Sequence, residues 1–296
     1  MRIGAGGGTG ALPWERAAGR SLIDLVPVVP GPGSGNPCHW QLGKLPAEAA
    51  EDVEAAAWLV AEEIMRLRTR GATETFDIWR TAATTEGRIS DPNRPRVEPF
   101  VQTVFGSTID PAPTDHVEGY VAEVVWFLLT RDGALDHGRT IRRIEEPSFY
   151  VTGPGGDGLV VSELEDGTLV FRLWEIKKHN RSGGISATAT RAMTQLATRG
   201  AGYLAQYVAT APNSDGDVAR LYAELVDHWV DAHSVAGAGV GIGTSATSAP
   251  KRRCFTTMQS HFPRLNEPGQ LEGLVVGIAD FAGFSRSVRD FVWSAL

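Results

Sequence analysis

The chain has 296 residues, 42% hydrophobic and 21% charged, a balance that argues against disordered and repeat classes and suits one large domain or two small ones. Its net charge of −7 argues against a protein that coats nucleic acid by bulk electrostatics, but not against an enzyme with local basic residues or one brought to DNA by a partner. With only Cys38 and Cys254, and no apolar run near the roughly 20 residues that span a bilayer, a disulfide framework and a membrane partner are excluded and a cytoplasmic protein is expected.

Residues 1–45 are rich in Gly and Pro. The opening MRIGAGGGTG looks like a dinucleotide fingerprint, but the strand that must precede one has no room before Gly4, and Pro13 interrupts the helix that must come after it. The segment reads as a flexible leader. Residues 47–70, dense in Ala, Glu, Leu and Met, basic in the last turn and closed by Gly71, read as a helix. Short β-like pieces come next at 76–79 and 97–105, split by DPNRP, which reads as a surface loop. The expected division is a leader with a helical N-terminal region over 1–95, and the functional domain over 96–296.

Residues 115–131, DHVEGYVAEVVWFLLTR, read as a second helix. Val117, Val121, Val124, Val125 and Leu128 form its main apolar stripe, while Tyr120, Trp126 and Phe127 cover the other side. A helix apolar nearly all round is buried, so Glu118 and Glu123 need a reason. The helix dipole favours Glu118 in the first turn. Glu123 lies mid-helix among aromatics, where a bare carboxylate is costly.

Residues 140–152 supply a leading strand, with Arg142 and Arg143 either facing DNA or simply solvated. A Gly-rich approach over 153–156 then leads into DGLVVSELEDGTLVFRLWEIKK, residues 157–178. Two apolar runs flank Glu165, Asp166 and Gly167, which is turn chemistry between strand chemistry and predicts a β-hairpin. In the second run Leu169, Phe171, Leu173, Glu175 and Lys177 share one face, so the two charges extend an apolar row. Charges placed there sit where a sheet opens into a cleft, and a carboxylate so placed needs a partner or a metal.

Register decides what joins them. A two-residue Asp166-Gly167 turn sets Asp157 opposite Ile176, on the other face. A three-residue loop closed by Gly167 in the left-handed region sets Asp157 opposite Glu175. Opposed Cβ atoms lie roughly 4.5–5.5 Å apart, close enough for two carboxylates to share one hard cation, with Lys177 beside it.

After the hairpin, residues 179–184 are a polar loop and 186–209 a long helix. Arg191, Gln195 and Arg199 recur every four residues, and with Lys178, His179 and Arg181 they make either a basic lip for phosphate contacts or a solvated face. A further helix covers about 217–233. The five-residue spacing of His228 and His233 places them on different helical faces, which argues against a zinc pair. Residues 235–250, rich in Gly, Ala and Ser, read as a linker or mobile loop. Lys251, Arg252 and Arg253 come after it, then a β-like run to residue 262, a strand at 274–278 and a C-terminal helix from about 281. The resulting fold class is α/β, a mixed central β-sheet flanked by helices.

An acid followed by Glu-x-Lys on the next strand, here Asp157 and Glu175-Ile176-Lys177, resembles the PD-(D/E)XK nuclease superfamily. The resemblance implies a restriction endonuclease-like core over 96–296 and an Mg²⁺- or Mn²⁺-dependent endonuclease acting on DNA. Asp157 and Glu175 would hold the metal and Lys177 would position the nucleophile. Such enzymes often bring a further Glu from the helix before the hairpin, which points first to Glu123 and second to Glu118. Within the superfamily, GYVAEVVWFLL, the hairpin and the long helix after it resemble, over about residues 115–210, the nuclease subunit of Hachiman-type antiphage defence systems. That resemblance implies a helicase/ATPase partner. The rival expectation is a non-catalytic scaffold or binding subunit whose acids are structural.

Overall fold

The computed structural model of the chain describes residues 11–33, 38–85, 87–148, 156–180, 184–210 and 216–296. Short helices α1 (Pro13–Ala17) and α2 (Leu22–Leu25) precede strands β1 (Val28–Pro30) and β2 (His39–Leu45), and helices α3 (Ala50–Thr69), α4 (Thr73–Thr84), α5 (Arg94–Phe105) and α6 (Thr114–Arg131) come after them. Next are β3 (Thr140–Ile144), β4 (Gly158–Glu163), β5 (Leu169–His179), α7 (Ser186–Thr210) and α8 (Asp217–Val230). The chain closes with β6 (Ala236–Thr244), α9 (Met258–His261), β7 (Leu271–Ile278) and α10 (Phe281–Ser294).

The strands form one seven-stranded mixed sheet in the order β1-β2-β7-β6-β5-β4-β3. Its middle, β2, β7, β6 and β5, is parallel, while β1 on one flank and β4 and β3 on the other run antiparallel to their neighbours. Each face carries its own core. Trp174, Ile176, Val160, Leu274 and Val276 pack on the helices α3 to α6 and α10, and Phe171, Leu173, Leu159, Val161, Val240 and Val275 pack on α7, α8 and α9. Apolar residues on both faces of an interior strand are what a parallel sheet covered by helices requires.

Several sequence expectations are corrected. Residues 76–79 and 97–105 are helical, lying within α4 and α5. Their aromatic and β-branched residues recur with helical spacing: Phe76 and Trp79 meet ring to ring at 5.9 Å, Trp79 stacks on Trp58 at 5.7 Å, and Val97, Val101 and Val104 all face inward. Residues 236–244, expected to be a linker, are the central strand β6, buried along its whole length. A Cβ on Gly239 would come within 2.2 Å of the Trp174 ring, and one on Gly243 within 2.7 Å of Phe281. The glycines are there to seat large neighbours. The β-like run before residue 262 is a loop ending in α9. The N-terminal region is not only helical, because β2 pairs in parallel with β7, so the sheet takes strands from both sides of residue 95. No described helix is long and apolar enough to cross a membrane.

Candidate active site

The hairpin adopts the three-residue register. Gly158 pairs with Trp174 and Glu163 with Leu169, and the ladder closes through Leu164 and Thr168, whose N–H and carbonyl meet at 2.9 Å. Gly167 sits at φ +85°, the left-handed conformation the loop needs and other residues rarely adopt. Extending the ladder by one step sets Asp157 against Glu175. Asp157 Oδ2 accepts the Ile176 N–H at 2.7 Å, which ties the head of β4 to β5.

Glu175 and Lys177 continue the row of Phe171 and Leu173, at the carboxyl end of the parallel strands, the edge where open α/β sheets bind ligands. The Glu175 side chain is wholly buried. Oε1 forms an ion pair with Lys177 Nζ, and the carboxyl lies within hydrogen-bonding reach of the Asp157 carboxyl, an acid rather than a fixed donor. Lys177 Nζ also lies 3.7 Å from Asp157 Oδ2.

Glu123 approaches from α6. It stands one turn before Trp126 on the same helical face, and Trp126 rests directly on the backbone of Gly158, where a Cβ would come within 2.2 Å of the indole. Absence of a side chain at residue 158 therefore lets α6 bring Glu123 to the head of β4.

The electrostatics record this gathering. Burial, then the Asp157 charge, pushes Glu175 up to about 7 against the pull of Lys177. Burial also raises Asp157, opposed by Lys177 and by the Ile176 N–H. Glu123 is raised well above the usual carboxylate range, by burial first and by Asp157 next. Burial works against the Lys177 charge, but Asp157 and Glu175 outweigh it and hold the ammonium above its ordinary value. Three carboxylates thus crowd one amine.

Glu118 and Lys178 belong to a separate arrangement. Glu118 Oε2 accepts from Lys178 Nζ at 2.8 Å and Asn180 Nδ2 at 3.0 Å, and Lys178 also pairs with Asp115. These contacts fasten the amino end of α6 to the end of β5. His179 is buried, with Nδ1 2.9 Å from Thr188 Oγ1, and its carbonyl accepts from Thr244. Gln195 donates to the Tyr203 hydroxyl at 3.0 Å, Arg191 is exposed, and Arg181 lies outside the described residues. Arg142 and Arg143 are paired with Glu163 and Glu145. His228 and His233 meet despite their spacing, with ring centroids 4.6 Å apart, because α8 stops at Val230 and the chain folds back.

Neither family models, nor curated proteins, nor solved structures match this chain.

Sequence reading missed Tyr207 on α7. Its hydroxyl donates to the Gly156 carbonyl at 2.8 Å, and burial followed by the charges of Asp157, Glu145, Glu123 and Glu175 raises its pKa. Its helical period with Tyr203 was the available signal. A roomier hollow, about 560 Å³, lies at the opposite end of the sheet beside His39, His137, Arg139 and Glu272. Its buried charges are mutually paired, Arg139 and Arg172 both on Glu272.

Could a divalent cation fit? The donors are oxygens, which suit Mg²⁺ or Mn²⁺, and the buried Glu175 carboxyl faces another acid, Asp157, with Lys177 as their shared cation. Among the described residues no group of three or more His, Cys, Asp or Glu side chains forms a ready cage. Mg²⁺ commonly needs no such cage, being held by one or two carboxylates and completed by water and substrate.

Proposed function

We propose that the protein is a metal-dependent endonuclease of restriction endonuclease-like fold, hydrolysing DNA phosphodiester bonds with Mg²⁺ or Mn²⁺. The observation that carries this reading is the Glu175 carboxyl, fully buried, facing the Asp157 carboxyl within hydrogen-bonding reach, with Lys177 as the cation paired to both. Burying such a group is costly unless something positive completes it.

Asp157 and Glu175 would hold the cation, with Glu123 adding negative charge from α6. The cation would supply Lewis-acid polarisation of a phosphoryl oxygen and of the attacking water. Lys177, which contacts both acids, would orient that water and stabilise charge developing on the phosphoryl oxygens. No protein nucleophile is required. The backbone of Ile176 fixes Asp157 through its N–H, so the acid reaches substrate preorganised.

A partner of helicase/ATPase type, and a role in antiphage defence, are parts of the same proposal. They rest on the resemblance of residues 115–210 and suit an acidic chain of modest intrinsic DNA affinity. Arg191 and Arg199, both exposed on α7, are the described residues of the expected basic lip left open to phosphate.

The test is cleavage of plasmid, linear and single-stranded DNA in Mg²⁺ or Mn²⁺, alongside calorimetric Mn²⁺ binding, for wild type, Glu175→Ala and Lys177→Ala. Cleavage and Mn²⁺ binding should be lost in Glu175→Ala, and cleavage alone in Lys177→Ala. Cleavage that survives both substitutions removes the site. A wild-type chain that neither cuts nor binds Mn²⁺ identifies the scaffold instead.

A further inference from the structure

The head of β4 has an unusual problem. Asp157 precedes the first paired residue, Gly158, so the sheet ladder alone does not fix the peptide that aims its side chain. One tether is the Asp157 carboxylate on the Ile176 N–H. A carboxylate that must also hold a cation is a poor sole anchor for its own backbone.

The second tether comes from α7. Tyr207, half-buried, spans from the helix to the Gly156 carbonyl with a 2.8 Å hydrogen bond. Gly156 is seated closely to receive it: a Cβ there would stand 3.1 Å from Leu173 Cδ1 and 3.4 Å from both Tyr203 Cβ and Tyr207 Cε2. The helix thus touches the peptide directly before Asp157 through both ring and hydroxyl.

We propose that Tyr207 is a positioning residue of the acid centre, its hydroxyl holding the Gly156 carbonyl so that Asp157 stays opposite Glu175. The proposal rests on the reading of that centre as a cation site. Tyr207 touches neither substrate nor cation in this role. It acts through one peptide. Outer-shell partners of this kind typically change metal affinity about 10–100-fold when removed.

The experiment measures Mn²⁺ affinity by calorimetry, together with Tm and the Mn²⁺ dependence of DNA cleavage, for wild type, Tyr207→Phe, Gly156→Ala and Glu175→Gln. Tyr207→Phe keeps the ring and removes only the hydroxyl. It should weaken Mn²⁺ binding about tenfold and raise the Mn²⁺ needed for cleavage correspondingly, with KM for DNA unchanged and Tm lowered by no more than the few degrees one lost hydrogen bond costs. Gly156→Ala, which pushes the peptide off α7, should weaken Mn²⁺ binding in the same direction. If Glu175→Gln loses Mn²⁺ while Tyr207→Phe binds it as wild type does, the acid centre stands and the role of Tyr207 falls. A lower Tm with unaltered Mn²⁺ affinity likewise reduces Tyr207 to packing. If Glu175→Gln binds Mn²⁺ as wild type does, or wild type binds none, the cation site falls and this proposal with it.

Discussion

At one end of β5, Arg172 shares Glu272 with Arg139; at the other, Lys177 is shared between Glu175 and Asp157. The first cluster is buried and the second half-buried around a fully buried Glu175, and their charge balances are opposite. At the first, two guanidiniums meet one carboxylate, and backbone carbonyls take up further donors: Arg172 reaches Gly269 O at 2.8 Å, Phe171 O at 2.8 Å and Val235 O at 3.2 Å. Burial lowers Arg172 to about 10 despite Glu272, yet a guanidinium at that value remains charged at neutral pH. This cluster is complete within the chain and joins the loop before β3 to β5 and β7. At the second, Glu123, Asp157 and Glu175 outnumber the cations that act on them, Lys177 and, on Glu123, Arg68. A buried network that satisfies itself is architecture. One in which acids outnumber cations raises the acids instead, so that they hold protons an ordinary carboxylate would have released.

The sharpest way to break that contrast is to neutralise one acid in each cluster. Glu272→Gln leaves two buried guanidiniums without a counter-charge and should lower unfolding free energy by about 3–5 kcal/mol in urea titrations. Glu175→Gln removes a carboxylate that its neighbours repel, so without metal it should be neutral or stabilising. Equal losses from the two substitutions would mean that the acid centre is also a closed structural network.

The same difference has a pH signature. Glu175 ionises near 4.5 in the unfolded chain and about 7 in the fold, so between those values the folded protein holds a proton that the unfolded one has released. Its contribution to stability is therefore fully present below about 4.5 and is lost as pH rises through about 7. Where steepest, the slope is on the order of 1 kcal/mol per pH unit. Thermal melts at pH 5, 6, 7 and 8 should show wild type losing stability relative to Glu175→Gln as pH increases. Mg²⁺, which favours the ionised carboxylates, should narrow that gap at pH 8. A gap independent of pH would show that Glu175 titrates as an ordinary exposed acid.

How much is legible in the sequence differs between the hairpin and the strands beside it. The hairpin's alternation, its Glu165-Asp166-Gly167 loop and the two charges ending an apolar row are local features that suffice to read the hairpin and which residues share a face, but they leave two registers open, of which the chain takes the three-residue one. The flanking helices α3, α6, α7 and α10 announce themselves through period and capping composition. β6 is unreadable because its identity depends on neighbours: AGAGVGIGT carries almost no side-chain signal, and its glycines make sense only once Arg172, Trp174 and Phe281 are seen leaning over them. The same holds for Tyr207, whose partner is a backbone carbonyl fifty-one residues away. Aromatics at 76 and 79 look β-like when composition is weighed above spacing. Glu123 and Glu118 can be ranked from their places on the helix, mid-helix among aromatics against first turn, but separating their roles requires knowing that Trp126 lies on Gly158.

That last separation gives the finest comparison. Glu118 and Glu123 come from one helix, yet Glu118 accepts from Lys178 and Asn180 while Glu123 feels Asp157, Lys177 and Glu175. Glu118→Gln keeps an acceptor for both donors, and Lys178 retains Asp115, so the loss should be small, about 1 kcal/mol by urea titration. Its Mn²⁺ affinity and DNA cleavage should match wild type. Glu123→Gln should instead weaken Mn²⁺ binding, because it removes negative charge that acts on the Asp157–Glu175 pair. If Glu118→Gln were the variant that lost Mn²⁺, the helix-borne acid would have to be reassigned, and Lys178 would move with it from fastening α6 to serving the site.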